Sequence, residues 1–483
     1  MPQARIVIKD EVNAIVKGLD PGTLDLCQER LSYFVPGHFH MPSFRLGRWD
    51  GRIRLFQKSG ATQTNLLPYI EDIFDDNGYS IKVEEHTEDY SHITSKINLI
   101  DKDYLEGFYN RTTGIEIELW EHQVEAVNRC LLEGSGVLEL ATGSGKTFIC
   151  GILSKIYQQF GHVVVIVPSL DLIVKTQRDF AAIGIDAGMW YADIKERKQV
   201  TIATWQSLDH APELFHDVVC LIVDEVHEAK APVLSEILLG PGSNVPFRFG
   251  CSGTLPKEEL FRRQIEGMIA PTIFELAAWE LQEKGILANS IVYQMTLADS
   301  KNPAYTRMAV THEEWSDELN WFFSNKERAR FIADLIIDIA EEMGNTFILV
   351  QYKKHGKILQ SLIPNSISLD GDDKNRNDQY EWYNTQNNCV MICTFGIAKK
   401  AIDIPRIFNL VFIEPGKKFE TVIQTLGRGL RKASDKDSVN VFDICGDGGF
   451  SRKHAKGRQK LYRDAKQPFE ILPMEYHDVN HNG

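Results

Sequence analysis

A chain of 483 residues is too long for one hydrophobic core, because single cores stop growing near ~250 to 300 residues, so about three domains are expected. A hydrophobic fraction of 43% and a charged fraction of 25% are ordinary globular values and exclude a disordered or fibrous protein. The net charge of −14 argues against general affinity for polyanions. Only local basic clusters keep a nucleic-acid partner open: Arg45, Arg48, Arg52 and Arg54; Lys399 and Lys400; Lys417 and Lys418; and the stretch from Arg452 to Lys466.

The N-terminus runs from Met1 to Lys9 without a basic segment leading into an apolar one, and no later stretch approaches ~18 uncharged apolar residues. A cytoplasmic protein with no membrane segment is expected. The 8 cysteines are scattered through apolar runs without a paired zinc spacing, so they read as buried reduced thiols.

Residues 1–112 alternate short apolar runs with turn signals, such as Arg52 to Leu55 after Asp50-Gly51, and read as a small α/β domain. From Gly136 the rhythm changes to apolar strands followed by amphipathic stretches: Val137 to Leu140 then Phe148 to Phe160, Val163 to Val167 then Leu170 to Phe180, and Val218 to Val223. That rhythm predicts a parallel sheet flanked by helices over 113–288. A second block over 289–448 repeats it, with strands at Phe347 to Val350, Val390 to Cys393, Leu410 to Ile413 and Val439 to Ile444. Residues 449–483 read as a polar, basic tail beyond a hinge at Gly446 to Gly449.

After the strand ending at Leu140, the run Ala141-Thr142-Gly143-Ser144-Gly145-Lys146-Thr147 opens a helix. Glycines there let phosphates approach the backbone N–H groups, Lys146 reaches the β and γ oxygens, and Thr147 offers a hydroxyl to Mg2+. Leu140 stands where the strict phosphate-loop pattern wants glycine, and taken alone the run also fits a glycine-rich turn. A second strand, Leu221-Ile222-Val223, ends in Asp224-Glu225-Val226-His227. Two acids at a buried strand end need a partner, and this supplies one: Asp224 to help hold Mg2+, Glu225 to activate or position water. Far downstream, Gln424-Thr425-Leu426-Gly427-Arg428-Gly429-Leu430-Arg431 places Arg428 and Arg431 on one helical face, a candidate charge source for the γ-phosphate transition state, although taken alone the run reads as an amphipathic helix with surface arginines.

The ordered set resembles the superfamily 2 helicase motifs, from about residue 118 to 432. The resemblance implies an ATP-driven motor of two tandem RecA-like parallel-sheet lobes with ATP and Mg2+ as cofactors. It makes Gln123, in Trp120-Glu121-His122-Gln123, the adenine-side contact. His227, Ser252, Gly253, Thr254 and Gln424 become coupling residues, and Ser169, Thr204, Gln206 and Thr394 strand contacts. In the motif around Ala401-Ile402-Asp403, alanine replaces the common glycine, which puts one backbone contact in question. The run from Phe44 to Leu55, with Arg45, Arg48, Trp49 and Arg52, is similar to that of the UvsW-type branch-migration helicases of tailed phages. A tryptophan among arginines suits a junction, with the ring on an unpaired base and guanidiniums on phosphates. The same residues equally fit a hairpin whose Trp49 packs inward.

The expected substrates are forks, four-way junctions and duplex/single-strand junctions of DNA, handled by a monomer in phage recombination, repair or replication. Three rivals stand beside this: an RNA helicase, a restriction-type motor, and an ATP-gated DNA clamp that does not unwind. Asp-Glu-Val-His and Ser-Gly-Thr, without an aromatic RNA platform, argue against the first. The flanking segments carry no nuclease-type carboxylate-lysine set, and having both Glu225 and Arg431 argues against a motor without turnover.

Overall fold

The computed structural model describes residues 2–109, 114–209, 211–311, 314–373, 375–398, 404, 406–416 and 435–476. It falls into two compact units: Met1–Leu140 with Gly145–Glu275, and Ala141–Ser144 with Leu276–Gly483.

The first unit opens with a small α/β layer. Strands β1 (Gln3–Ile8), β2 (Asn13–Lys17), β5 (Ala61–Gln63) and β6 (Ser80–Glu85) form a sheet in the order β5-β2-β1-β6, while β3 (Ser32–Phe34) and β4 (Arg52–Arg54) pair as a separate antiparallel ribbon. Alternation in β1 turns Ala4 and Ile6 onto a core completed by Phe56, Leu66, Ile70 and Phe74. Polar contacts fasten this layer to the larger domain of the same unit. Asn65 donates to the carbonyls of Glu266 and Ile269 at 3.2 Å each, Tyr69 donates to Glu266 at 2.7 Å, and Asn13 donates to Leu239 O at 3.0 Å.

The larger sheet of this unit contains β7 (Ser135–Leu140), β8 (His162–Val167), β9 (Ala187–Tyr191), β10 (Ile194–Lys195), β11 (Val200–Thr204), β12 (Val218–Asp224), β13 (Phe247–Ser252) and β14 (Thr272–Leu276). Their order is β10-β9-β11-β8-β12-β13-β7-β14, and the central ladders from β9 to β7 are parallel. Every residue of β8 and β11 is buried, as expected of strands covered by helices on both faces. Arg248, inside β13, is fully buried and donates to the carbonyls of Met268, Gly242 and Leu238; burial lowers its pKa to about 10.

The second unit holds β15 (Asn289–Leu297), β16 (Thr346–Val350), β17 (Ile367–Leu369), β18 (Val390–Thr394), β19 (Asn409–Ile413), β20 (Ser438–Gly446) and β21 (Phe469–Met474), in the order β17-β18-β16-β19-β20-β15-β21, with all its ladders parallel. The fold is therefore α/β, with two parallel-sheet domains behind a small α/β domain.

The residues after 448 differ from the expected polar tail. Gly449–Asp464 is a helix that buries His454, Ala455, Arg458 and Tyr462, and β21 adds to the sheet beside β15. The expected hinge is also absent. Gly446 closes β20 and donates its N–H to Ser451 Oγ at 2.9 Å. The reason is a buried ion pair, since Arg458 meets both oxygens of Asp443 at 2.9 Å. A charge count assigns such an arginine to solvent; only its partner shows that it is interior.

Candidate functional site

The order β12-β13-β7 sets three strand ends side by side, and everything that matters chemically in the first unit leaves from their C-terminal edge. The register pairs Asp224 with Cys251 and Ser252 with Glu139, so residues distant in the chain become neighbours.

From β7 the chain passes Gly143 and Gly145, with φ of +91° and +81°, into the helix Lys146–Tyr157. Gly145 is in the left-handed region, and a Cβ there would lie 2.1 Å from Gln123 Nε2, so only glycine fits between the loop and that amide. Gln123 is itself pinned, its Oε1 accepting from Trp120 N–H at 2.9 Å. No side chain caps the helix N-terminus at Gly145, which leaves its first N–H groups open to an anion.

Lys146 Nζ meets Glu225 Oε1 at 3.3 Å, with the two side chains 15% and 22% exposed. Burial alone would lower the lysine pKa, but the Glu225 and Asp224 carboxylates outweigh it and raise that pKa above its ordinary value. Burial would likewise raise that of Glu225; Lys146 and then His227 overcome this and hold the carboxyl well below the usual carboxylate range. Asp224 goes the other way. Burial first, and the Glu225 charge second, push it up to about 6. Two adjacent carboxylates are thus driven apart, one held ionised and one pushed up, and their oxygens could hold a Mg2+ ion only together with other donors such as a hydroxyl or phosphate oxygens.

Glu225 adopts φ 53° and ψ 49°, a left-handed conformation uncommon for glutamate that turns its carboxylate back toward the strand ends. His227 Nδ1 lies 2.9 Å from Ser252 Oγ and 3.3 Å from Glu225 Oε2, and Ser252 donates to Thr254 O at 2.8 Å. The acid pair, His227, Ser252 and Thr254 therefore form one connected group. Glu139, which no sequence motif singles out, joins it. Its carboxylate accepts from Leu255 N–H at 3.0 Å and approaches Arg262 at 3.6 Å. A glutamate inside the apolar run Val137 to Leu140 was the signal, by the same rule that singled out Asp224 and Glu225.

Other expected residues are placed more variously. Ser169 stands at the N-terminus of the helix Leu170–Ala182 without a side-chain capping bond, and in-register pairing of Thr204 with Val167 brings Thr204 and Gln206 to the same edge of the sheet. Thr204 is the more enclosed of the two. It is 4% exposed and its hydroxyl is shared with Ser207 at 3.0 Å, which leaves exposed Gln206 as the group that faces out. Thr394 closes β18, half-buried, in the second unit. Gln424, Arg428, Arg431 and Ala401 lie outside the described residues, as do Lys399, Lys400, Lys417 and Lys418.

In the β3–β4 region, Arg45 and Arg48 are exposed and, among the described residues, engage no carboxylate. Trp49 and Arg52 are engaged within the hairpin. Trp49 is half-buried with its indole N–H donated to Arg52 O at 2.9 Å, and Arg52 is paired with Glu29 at 2.9 Å and stacked over Phe34 at 4.2 Å. Satisfying the indole inside the hairpin won over leaving the ring free.

A family model described as type III restriction enzyme, res subunit, matches residues 116–257, and one described as DNA helicase UvsW, N-terminal, matches residues 8–84. The chain is 26% identical over 465 residues to the ATP-dependent DNA helicase uvsW of Enterobacteria phage T4, covering 91% of this chain and 90% of that protein. It is 28% identical over 173 residues to the DNA 3'-5' translocase XPB2 of Sulfurisphaera tokodaii, covering 35% and 38%. Among solved structures, the ATP-dependent type ISP restriction-modification enzyme LlaBIII bound to DNA shares the fold. Its TM-score is 0.57 at 13% identity, over 84% of this chain and 34% of that one. No helix among the described residues is long and apolar enough to cross a membrane.

Proposed function

We infer that this chain is a superfamily 2 helicase resembling the UvsW-type branch-migration helicases of tailed phages, an ATP-dependent DNA helicase whose preferred substrates are branched. The observation that carries the motor reading is the buried contact of Lys146 with Glu225, beside Asp224, at the ends of adjacent strands. A structural ion pair would not also need an uncapped helix N-terminus and a glycine that a side chain would clash with.

In the proposed mechanism the N–H groups after Gly145 and the Lys146 ammonium bind the phosphates of ATP, and Gln123 reads the base. Thr147 and Asp224 would hold Mg2+, which when bound neutralises charge on the transferring phosphoryl group. Glu225, kept ionised by Lys146 and His227, positions the attacking water and takes its proton. Its link through Ser252 to the Thr254 loop gives the change at the phosphate a path into the protein. Arg428 and Arg431 are assigned the stabilising charge of the transition state, and Ser169, Gln206 and Thr394 the backbone of one DNA strand.

Preference for branched DNA rests on the N-terminal layer. Arg45 and Arg48 there, exposed and without a carboxylate partner among the described residues, offer phosphate contacts in a chain of net charge −14. The decisive experiment is a panel on the whole protein: ATP hydrolysis and strand separation on single strands, forks, four-way junctions and RNA duplexes. Forks and junctions are expected to be unwound fastest; equal unwinding of RNA duplexes would favour the RNA reading. Because the model matching 116–257 is that of a restriction enzyme subunit, incubation with plasmid, ATP and Mg2+ is a necessary control, with no cleavage expected.

A further inference from the structure

Between β3 and β4 the chain makes an excursion from Val35 to Gly51 that is tightly built from within. Val35 N–H donates to Gly51 O at 2.8 Å, Arg48 N–H to Ser43 O and Leu46 N–H to Pro42 O, both at 2.9 Å. His38 stacks on Phe34 and meets Phe44 edge-on, each at 4.7 Å, and Gly51, at φ +80°, packs so closely that a Cβ would come within 2.6 Å of the His38 ring. With Trp49 bonded inward, the excursion is a preorganised knob.

Three of its large apolar side chains are exposed. Leu46 is 64% exposed, Phe39 56% and Met41 39%; Phe39 touches the His38 and His40 rings on one side, at 5.6 and 4.2 Å, and leaves the rest of its ring to solvent. Exposed Arg45 and Arg48 flank them, and the run from Val35 to Trp49 contains no aspartate or glutamate, although the chain as a whole carries −14. Clustered exposed apolar groups mark a partner. The one acid of the excursion, Asp50 at its base, is taken by Arg54, and Arg45 and Arg48, which meet no carboxylate among the described residues, select a partner that has an apolar face bordered by negative charge. The end of a base-paired stack bordered by phosphates has that form.

We propose that this knob is the strand-separating wedge: Phe39, with Leu46, abuts the last base pair at a DNA branch, and Arg45 and Arg48 hold the phosphates beside it. The proposal rests on the helicase reading above and replaces Trp49, turned inward, as the stacking ring. The hairpin bearing the knob belongs to the layer held on the motor domain by Asn65, Tyr69 and the Arg263 guanidinium 3.8 Å over the Tyr69 ring, so translocation of that domain drives the knob forward.

The test uses the full chain with Phe39→Ala and Leu46→Ala combined, exposed positions whose loss leaves the fold intact, checked by an unchanged circular dichroism spectrum and melting temperature. Fork unwinding is expected to fall about tenfold, as for loss of one aromatic–base stack, while ATP hydrolysis on single-stranded DNA stays within about twofold. On a fork with 2-aminopurine at the last paired position, the wild-type protein should perturb the emission and the variant should not. Unwinding and emission equal to wild type would overturn the wedge and leave the knob as a protein-docking surface. A wild-type chain that hydrolyses ATP yet unwinds no DNA would instead overturn the helicase reading beneath it.

Discussion

Replacing Glu225 by glutamine isolates what the lysine–glutamate pair does. At 3.3 Å and an effective dielectric of about 20, the attraction between the two charges is about 5 kcal/mol, most of it offset by the cost of burying both. Stranding a fully buried charge costs ~3 to 5 kcal/mol. Here Asp224 remains to face Lys146 and both side chains keep some solvent, so a loss of about 1 to 2 kcal/mol is expected without nucleotide, or a Tm lower by roughly 2 to 8 °C. Bound ATP should restore this stability, because its phosphates then partner the ammonium, and affinity for ATP should rise because the lysine need no longer be drawn away from a carboxylate. Turnover should fall by about 10²- to 10⁴-fold with the loss of the water-positioning base. Nucleotide binding followed by fluorescence, phosphate release and thermal melting with and without ATP measure all three. Turnover matching wild type, or weaker ATP binding, would refute the reasoning.

Asp224 gives the pH dependence. Its pKa, raised to about 6 chiefly by burial, lets the folded chain take up a proton that the unfolded chain has already lost; stability without nucleotide therefore falls as pH rises from the ordinary carboxylate range through 6. Asp224→Asn should melt higher than wild type at neutral pH yet lose Mg2+-dependent turnover, and wild-type turnover should fall about tenfold per unit below pH 6 at limiting Mg2+. In the second unit, Arg328 is fully buried between Asp299 at 2.9 Å and Glu414 at 2.6 Å, so Arg328→Met should destabilise it by ~3 to 5 kcal/mol in a denaturant titration, leaving two uncompensated acids. Arg45→Ala with Arg48→Ala should weaken DNA binding alike for all sequences and flatten the log–log salt dependence by about 2, one unit for each lost phosphate contact.

Strands were legible wherever a short apolar run stood between turn signals. Val163 to Val167, Val390 to Cys393 and Leu410 to Ile413 each lie within an observed strand, because residues buried on both faces leave no polar alternation to confuse. The layer over residues 187–204 and strand β14 were not read, since neither has the apolar density of the central strands. The glycine-flanked Lys146 loop and the Asp224–Glu225 pair were legible as a constellation because each depends on residue types at close spacing. Glu139 was missed for lack of a neighbour in the chain to draw attention to it.

The covalent order of residues by itself determined the local chemistry: a glycine-flanked lysine after one strand, two acids after another, and a basic, acid-free run near the N-terminus. Backbone conformation and residue type act over a few positions, so they can be read from the chain alone. The tertiary structure decided who faces whom. Strand order set Lys146 against Glu225, hydrogen bonding turned Trp49 inward and left Phe39 outside, and Asp443 drew Arg458 out of an apparent surface tail. Each of these outcomes turns on a partner far away in sequence. Burial makes an unpartnered charge or N–H too costly to keep, and which partner is within reach is settled only when the strands are stacked.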